Sequence, residues 1–266
     1  MLSIIIPCYN QADTLQSTLQ ILVAELPDDL AYEILIVDNG SKDDVQSVAE
    51  KYNCRYLSYT KTKSPYAARN KGVKAAKYDI LLLMDAKCRP VPGYGEALAE
   101  VLLMDTWDIV GGDVLPKLPA KVDSIFSVAY AVLFLKVAPK YHNGIATALT
   151  GNALYRKEVF DKIGYFKPVA MHEDVDFVNR CRRVGCIVHY SPSLQVSYRV
   201  KTKNEFFTFL KGYSKGRSVG LLSLRPPNPF RVHARLRDID VSISPYAWLR
   251  LFGALWYVRV YVYINK

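Results

Sequence analysis

Five apolar residues, Ile80-Leu-Leu-Leu-Met84, run without interruption into Asp85. A run of this length suits a strand buried on both faces, as in a parallel sheet covered by helices. Ligands of such sheets bind just beyond the carboxyl ends of the strands, so Asp85 is expected at the floor of a site and not in the core. A strand-end carboxylate can merely cap the following loop. Here the pattern repeats, because Glu33-Ile-Leu-Ile-Val-Asp38 ends in the same way.

The chain alternates around these two strands. Residues 2–7 read as a short apolar strand that stops at Pro7, and Cys8-Tyr9-Asn10 follows as a loop. Asn10 or Asp13 can cap a helix running to about Glu25, with Leu15, Leu19 and Leu22 on one face. Asn39-Gly40 turns the chain, and Ser41-x-x-Asp44 opens the next helix. Residues 55–59 form a weaker strand, Pro65 starts a helix, and residues 107–114 are a later strand. Crossovers of this length predict a right-handed, mostly parallel α/β sheet with helices on both faces. The looser apolar run 122–137 reads as a helix packing over the site. At 266 residues the chain accommodates one large domain, 1–200, and an appendage, 201–266.

Several function classes are disfavoured. No G-x-G-x-x-G follows the first strand and no G-x-x-x-x-G-K-[ST] occurs, which argues against a dinucleotide dehydrogenase or a P-loop enzyme. The N-terminus lacks the basic region of a signal peptide. The cysteines at 8, 54, 88, 181 and 186 lack zinc-type pairing and read as reduced thiols of a cytoplasmic protein.

Two strand-end acids replace the glycine loops. Asp38 can accept hydrogen bonds from a base or ribose, and Asp85 lies nearer the phosphates, where a cation must accompany it. Further on, His172-Glu173-Asp174-Val-Asp176 opens a helix through Arg182. Acids in a first turn complement the helix dipole. Three acids and a histidine in five residues exceed that need and point to catalysis.

Together these residues resemble the inverting family 2 glycosyltransferases, over about residues 1–200. Ser3 to Asn10 is similar to the family's opening strand and loop, Glu33 to Ser41 to its second strand, and Ala68-Arg-Asn-Lys-Gly72 to its donor-contacting helix start. Met84-Asp-Ala-Lys-Cys-Arg-Pro90 occupies the place of its D-x-D loop, Thr150-Gly-Asn152 that of the acceptor-side motif, and Glu173-Asp174 that of the E-D pair. The resemblance implies a nucleotide-diphospho-sugar transferase (GT-A) fold and a nucleotide-sugar donor, with a UDP-sugar expected. It implies that Pro7, Tyr9 and Asp38 hold the nucleoside, with Arg69 and Asp85 nearby, and that Gly151 and Asn152 line the acceptor side. Asp174 would be the general base, beside Glu173, deprotonating an acceptor hydroxyl. Displacement at the anomeric carbon would then invert its configuration.

Two positions depart from the family. Lys87 stands where an acid usually binds Mg²⁺ or Mn²⁺, and Ser197-Tyr198-Arg199 stands where many members place a metal-binding histidine. An ammonium at Lys87 can supply part of the charge of a dication. Alternatively, a metal binds through Asp85, the phosphates and water. A non-catalytic nucleotide-sugar or glycan-binding relative is the competing reading.

The net charge of +10 is concentrated at one end. From Arg199 to Lys266 there are 13 Lys and Arg against 3 Asp and Glu, while the preceding residues hold 22 of each. Residues 204–224 and 246–257 read as helices with aromatic and basic faces, and 258–264 alternates like a strand. Trp, Tyr and Arg beside an apolar stripe suit a membrane interface or packing on protein. No nucleic-acid module accompanies the charge. The expectation is a peripheral protein on the cytoplasmic face of an anionic membrane, acting on a saccharide or lipid-linked saccharide.

Overall fold

A computed structural model describes residues 1–61, 64–117, 148, 150–167 and 173–199. The chain divides into two compact units. The first comprises Met1–Val114, Pro139–Pro168 and Glu173–Ser197, and holds nearly all the described residues; the second comprises Leu115–Ala138, Val169–His172 and Tyr198–Lys266. The expected helix at 122–137 and the segments at 204–224 and 246–264 lie outside the described residues. Among the described residues no helix is long and apolar enough to cross a membrane.

Three apolar runs build the centre of the sheet as β1 (Leu2–Cys8), β2 (Tyr32–Asp38) and β4 (Ile80–Met84), with β3 (Arg55–Ser58) outside β2. All pairings in this half are parallel, in the order β3-β2-β1-β4. The register pairs Cys8 with Asp38 and Ile5 with Leu83, so the carboxyl ends of the three central strands form one edge. Tyr9, Asp38 and Asp85 are brought to that edge by strand length alone. Pro7 lies inside the strand, paired with Val37, and β1 ends at Cys8, one residue beyond the stop read from the sequence.

Beyond β4 the sheet is mixed. β7 (Asn152–Arg156) runs antiparallel to β4, and β6 (Ile109–Lys117) runs antiparallel to β7. The full order continues β7-β6-β8-β5, where β5 is Cys88–Pro90 and β8 is Val188–Arg199. β7 starts opposite Met84, at the carboxyl edge, and runs away from it. That starting point explains its direction and the departure from an all-parallel sheet.

Strand residues alternate between two covered faces. Ile5, Leu35, Val37, Leu81 and Leu83 join one core with Ala68 and Val73 of α3 (Pro65–Ala75) and Phe177 of α6 (Glu173–Arg183). Ile4, Ile6, Ile36 and Leu82 point the other way and are also fully buried or nearly so. Each such aliphatic side chain contributes roughly 1.5–3 kcal/mol when removed from water. At Gly72 a Cβ would collide with Ile5 Cγ2 and come within 3.2 Å of Val37 Cγ2, so only glycine lets α3 approach β1 and β2 this closely.

The remaining helices are α1 (Ala12–Glu25), α2 (Val45–Lys51), α4 (Tyr94–Leu102) and α5 (Glu158–Ile163). The start of α1 differs from the expectation. Its N-cap is Gln11, whose side chain makes no capping bond, and the Ala12 N–H donates instead to Asp43 Oδ2 at 2.8 Å. A carboxylate from the neighbouring loop satisfies the free donor that neither Asn10 nor Asp13 caps. Asp44 caps α2 by accepting from Ser47 N–H. Ser41, read as part of that capping pattern, turns back to Asp38.

Candidate active site

The site begins where the loops after β1 and β2 are fastened together. Asn10 donates its N–H to Ser41 Oγ at 2.9 Å and accepts from Lys42 N–H at 2.7 Å. Asn10 takes a positive φ of 51°, a conformation asparagine tolerates better than most residues. Asp38, 6% exposed, accepts from Ser41 N–H at 3.0 Å, from Ser41 Oγ, and from Tyr56 O–H at 2.8 Å. Burial first, and the Asp38 carboxylate second, push the Tyr56 phenol up to about 12, so it remains a donor. Tyr9 lies exposed just beyond, while Pro7 is buried in the strand. The sequence does not single out Ser41 or Tyr56 as site residues. Ser41 sits in a capping pattern, and Tyr56 sits on a weakly marked strand.

The second part of the site is centred on Arg69. Its Nη2 lies 2.7 Å from Asp85 Oδ1 and its Nη1 lies 2.7 Å from Glu173 Oε1. The guanidinium is nearly inaccessible, and charged hydrogen bonds of this kind are what make such burial tolerable. Burial alone would lower its proton affinity; Asp85 and Glu173 more than offset that and hold it ionised. One cation thus ties the end of β4 to the first turn of α6.

Thr150-Gly151 forms a second tie. Asp85 N–H donates to Gly151 O at 3.4 Å, while a backbone hydrogen bond from Thr150 reaches the Asp174 carboxylate. A Cβ on Gly151 would stand 3.3 Å from Cys88 Sγ and 3.6 Å from Asp85 Oδ2. The loop after β4 is fixed from behind by Thr18 Oγ1, which donates to Ala86 O at 2.8 Å inside the core. Asp85, Glu173 and Asp174 therefore belong to one cluster, built on three elements and a turn.

The two acids of the pair differ in role. Glu173 is neutralised by Arg69. Asp174 accepts Val175 N–H at 2.9 Å. Although its side chain keeps some solvent contact, protein surrounds it densely, and this burial is the main cause that pushes its carboxyl up to about 7. Glu173 adds to the shift, whereas Arg69 and the two backbone donors oppose it. Asp176 is spent on Arg180, 2.9 Å away on the next turn.

Asn152, expected on the acceptor side, is fully buried. Its Oδ1 accepts from Tyr94 O–H at 2.8 Å, and its Nδ2 donates to Leu194 O at 2.8 Å and Asp113 O at 3.1 Å. Its amide is committed to joining β7 to α4, β6 and β8. Within Thr150-Gly-Asn152, Gly151 lies against Asp85, whose Oδ2 a Cβ there would approach to 3.6 Å.

The donor set for a cation is sparse. Asp85 Oδ1 is taken by Arg69, while Oδ2 carries no hydrogen bond among the described residues and faces the Gly151 side. No cluster of three His, Cys, Asp or Glu suited to a metal occurs among the described residues. This arrangement fits a dication held mainly by phosphate and water, with one carboxylate oxygen from the protein. The described residues by themselves form no protein cage for a metal. Lys87 is half-buried two residues after Asp85.

Fold and site together define a glycosyltransferase of the GT-A type. The sequence pattern of Glycosyl transferase family 2 matches residues 3–164, and the chain belongs to that family. It is 32% identical over 117 residues to glycosyltransferase AglE of Haloferax volcanii, a match covering 42% of this chain and 38% of that one. The chain thus spans well under half the length of that relative. Its fold is similar to that of a mannosyltransferase from Pyrobaculum calidifontis in complex with GDP-Man and Mn²⁺, with a TM-score of 0.61 and 14% identity over 99% of this chain and 73% of that one. It is also similar to glucosyl-3-phosphoglycerate synthase from Mycobacterium tuberculosis in complex with Mn²⁺, UDP and glucosyl-3-phosphoglycerate, with a TM-score of 0.59 and 18% identity over 82% and 79%.

Proposed function

We propose that this chain moves a hexosyl group from a nucleotide-diphosphate sugar, a UDP-sugar by preference, to a hydroxyl of a saccharide acceptor, with inversion at the anomeric carbon. The observation that carries this reading is the single cluster joining Asp85 at the strand edge to Asp174 through Arg69, Glu173 and Thr150-Gly151. Tyr9 and Pro7 at the end of β1 would contact the nucleoside, beside an Asp38 that Ser41 and Tyr56 hold in place. A carboxyl raised to about 7 is half ionised near neutrality, the best compromise for a general base.

In the chemical step Asp174 takes the acceptor proton as the hydroxyl oxygen attacks the anomeric carbon. The bond to the diphosphate breaks, and its electron pair leaves with the nucleoside diphosphate. Asp85 Oδ2 is the protein oxygen that would receive a Mg²⁺ or Mn²⁺ carried on the diphosphate. Such an ion neutralises the leaving group, and Lys87 adds positive charge beside it. Gly151, lacking a side chain, lets its turn pass close to Asp85 and Cys88.

We extend the reading to the rest of the chain. Residues 1–200 form the catalytic part, and the basic extension 201–266 holds the protein on the cytoplasmic face of an anionic membrane, near lipid-linked saccharide acceptors. Truncation before Pro245 should then reduce co-sedimentation with anionic vesicles, and equal pelleting of both chains would discard the membrane role.

A competing reading, favoured by Lys87 and by the sparse cation ligands among the described residues, is a protein that binds the donor without transferring it. A screen of UDP- and GDP-sugars separates the two, with melting temperature and nucleoside diphosphate release read together. Transfer predicts release that EDTA lowers on the order of 10-fold or more and that Mg²⁺ or Mn²⁺ restores. A donor that raises the melting temperature yet is never consumed, with any acceptor or cation, would leave only the binding reading.

A further inference from the structure

Tyr155 carries a hydroxyl with no hydrogen-bond partner among the described residues, although the residue is wholly inaccessible to solvent. A buried orphan of this kind costs about 1–3 kcal/mol and calls for a reason. Phenylalanine would fill the same space without that cost. The ring is gripped by Phe160 at 5.8 Å, Phe166 at 6.2 Å and Phe177 at 5.8 Å, the last two edge-on. Phe177 lies three residues after Asp174, so the face of α6 that packs on Tyr155 carries Asp174 at its amino end. A second orphan donor, Arg69 Nε, is buried in the same neighbourhood.

We propose that Tyr155 is a positioning residue for the general base, its O–H turned towards Asp174 so as to favour the ionised carboxylate. The proposal rests on the reading of Asp174 as the base. No acceptor among the described residues competes for the hydroxyl hydrogen, and in a site of low dielectric an oriented dipole acts strongly on a nearby charge. After burial, the group that most raises the phenol is Asp174; Cys181 and Glu173 act in the same sense and Arg69 against them. The groups facing Asp174 are Glu173 on its own helix, Arg69 from α3, the Thr150 and Val175 backbone donors, and Tyr155 from β7. Asp176 is neutralised by Arg180. Tyr155 thus sets a neutral side-chain dipole among the charged groups and backbone donors described around Asp174.

Tyr155→Phe keeps the ring and removes only the hydroxyl. The Asp174 pKa, followed by carbon NMR titration of its carboxyl in the full chain, is expected to rise by roughly 0.5 to 1 pH unit. The acid limb of the transfer rate should move up by the same amount, with the donor KM unchanged and the melting temperature equal or higher. An unmoved carboxyl titration overturns the proposal, whatever happens to stability. Asp174→Asn, assayed in parallel, separates this outcome from failure of the base assignment. Transfer surviving in Asp174→Asn would remove the base role, while a shifted carboxyl titration in Tyr155→Phe would still establish the Tyr155–Asp174 coupling.

Discussion

Arg69 Nη2 lies 2.7 Å from Asp85 Oδ1, and the same guanidinium holds Glu173 at the same distance on its other arm. The consequence is mechanical as well as electrostatic. The acid at the end of β4 and the acid pair at the start of α6 cannot shift independently.

Removing that guanidinium leaves two carboxylates facing each other in a largely buried pocket. Arg69→Met should lower the unfolding free energy by about 3 kcal/mol. Arg69→Lys should recover only part of this, because an ammonium is a point charge and cannot span both partners as a planar fork does. Urea denaturation midpoints decide the matter. Equal midpoints for Arg69→Met and wild type would mean that the bridge contributes nothing.

The raised carboxyl of Asp174 has two pH signatures. In the unfolded chain it titrates near 3.8 and in the folded chain near 7, so between these values the folded state binds the extra proton. Stability from this group therefore falls as pH rises from about 4 to 7 and is level outside that window. Asp174→Asn should flatten that part of the stability curve. In parallel, transfer should decline below about pH 7 as the base becomes protonated. A wild-type stability curve of unchanged slope in the variant would remove the basis for a perturbed base.

Much of the parallel half of the fold was legible because β1, β2 and β4 are uninterrupted apolar runs, and such runs have few alternatives. The sequence does not mark β7, β5 or β8 as strands. Asn152 interrupts the apolar start of β7, β5 is three residues long, and β8 mixes polar and apolar residues. The helix α4 follows Gly93 in a left-handed conformation and has no side-chain cap to announce it. The cap of α1 could not be read locally, because it comes from Asp43, 31 residues away. At the site, Arg69, Asp85 and Glu173 were named separately; that one guanidinium joins them, across 16 and 104 residues, is a property of the sheet order. Asn152 shows the converse. Its position within a motif suggested a ligand contact, and its burial shows an amide spent on three elements.

That amide imposes a demand on its neighbour. A Cβ at Gly112 would overlap Asn152 Nδ2 and stand 2.5 Å from Leu194 O. The carbonyl belongs to backbone and the amide is fixed by three bonds, so neither can yield cheaply. Gly112→Ala should cost about 1–3 kcal/mol and reduce transfer by disturbing β7 beside Gly151. A midpoint within error of wild type would show that β6 can move away from β7 without penalty.

The central claim is that Asp174 acts as the base in transfer from a nucleotide sugar. Its most direct test is nucleoside diphosphate release by Asp174→Asn, measured beside donor binding by thermal shift. The amide is nearly isosteric and removes the proton-accepting carboxylate, so binding should match wild type while release falls by about 10²–10⁴-fold. Release at the wild-type rate, with binding intact, would contradict the account.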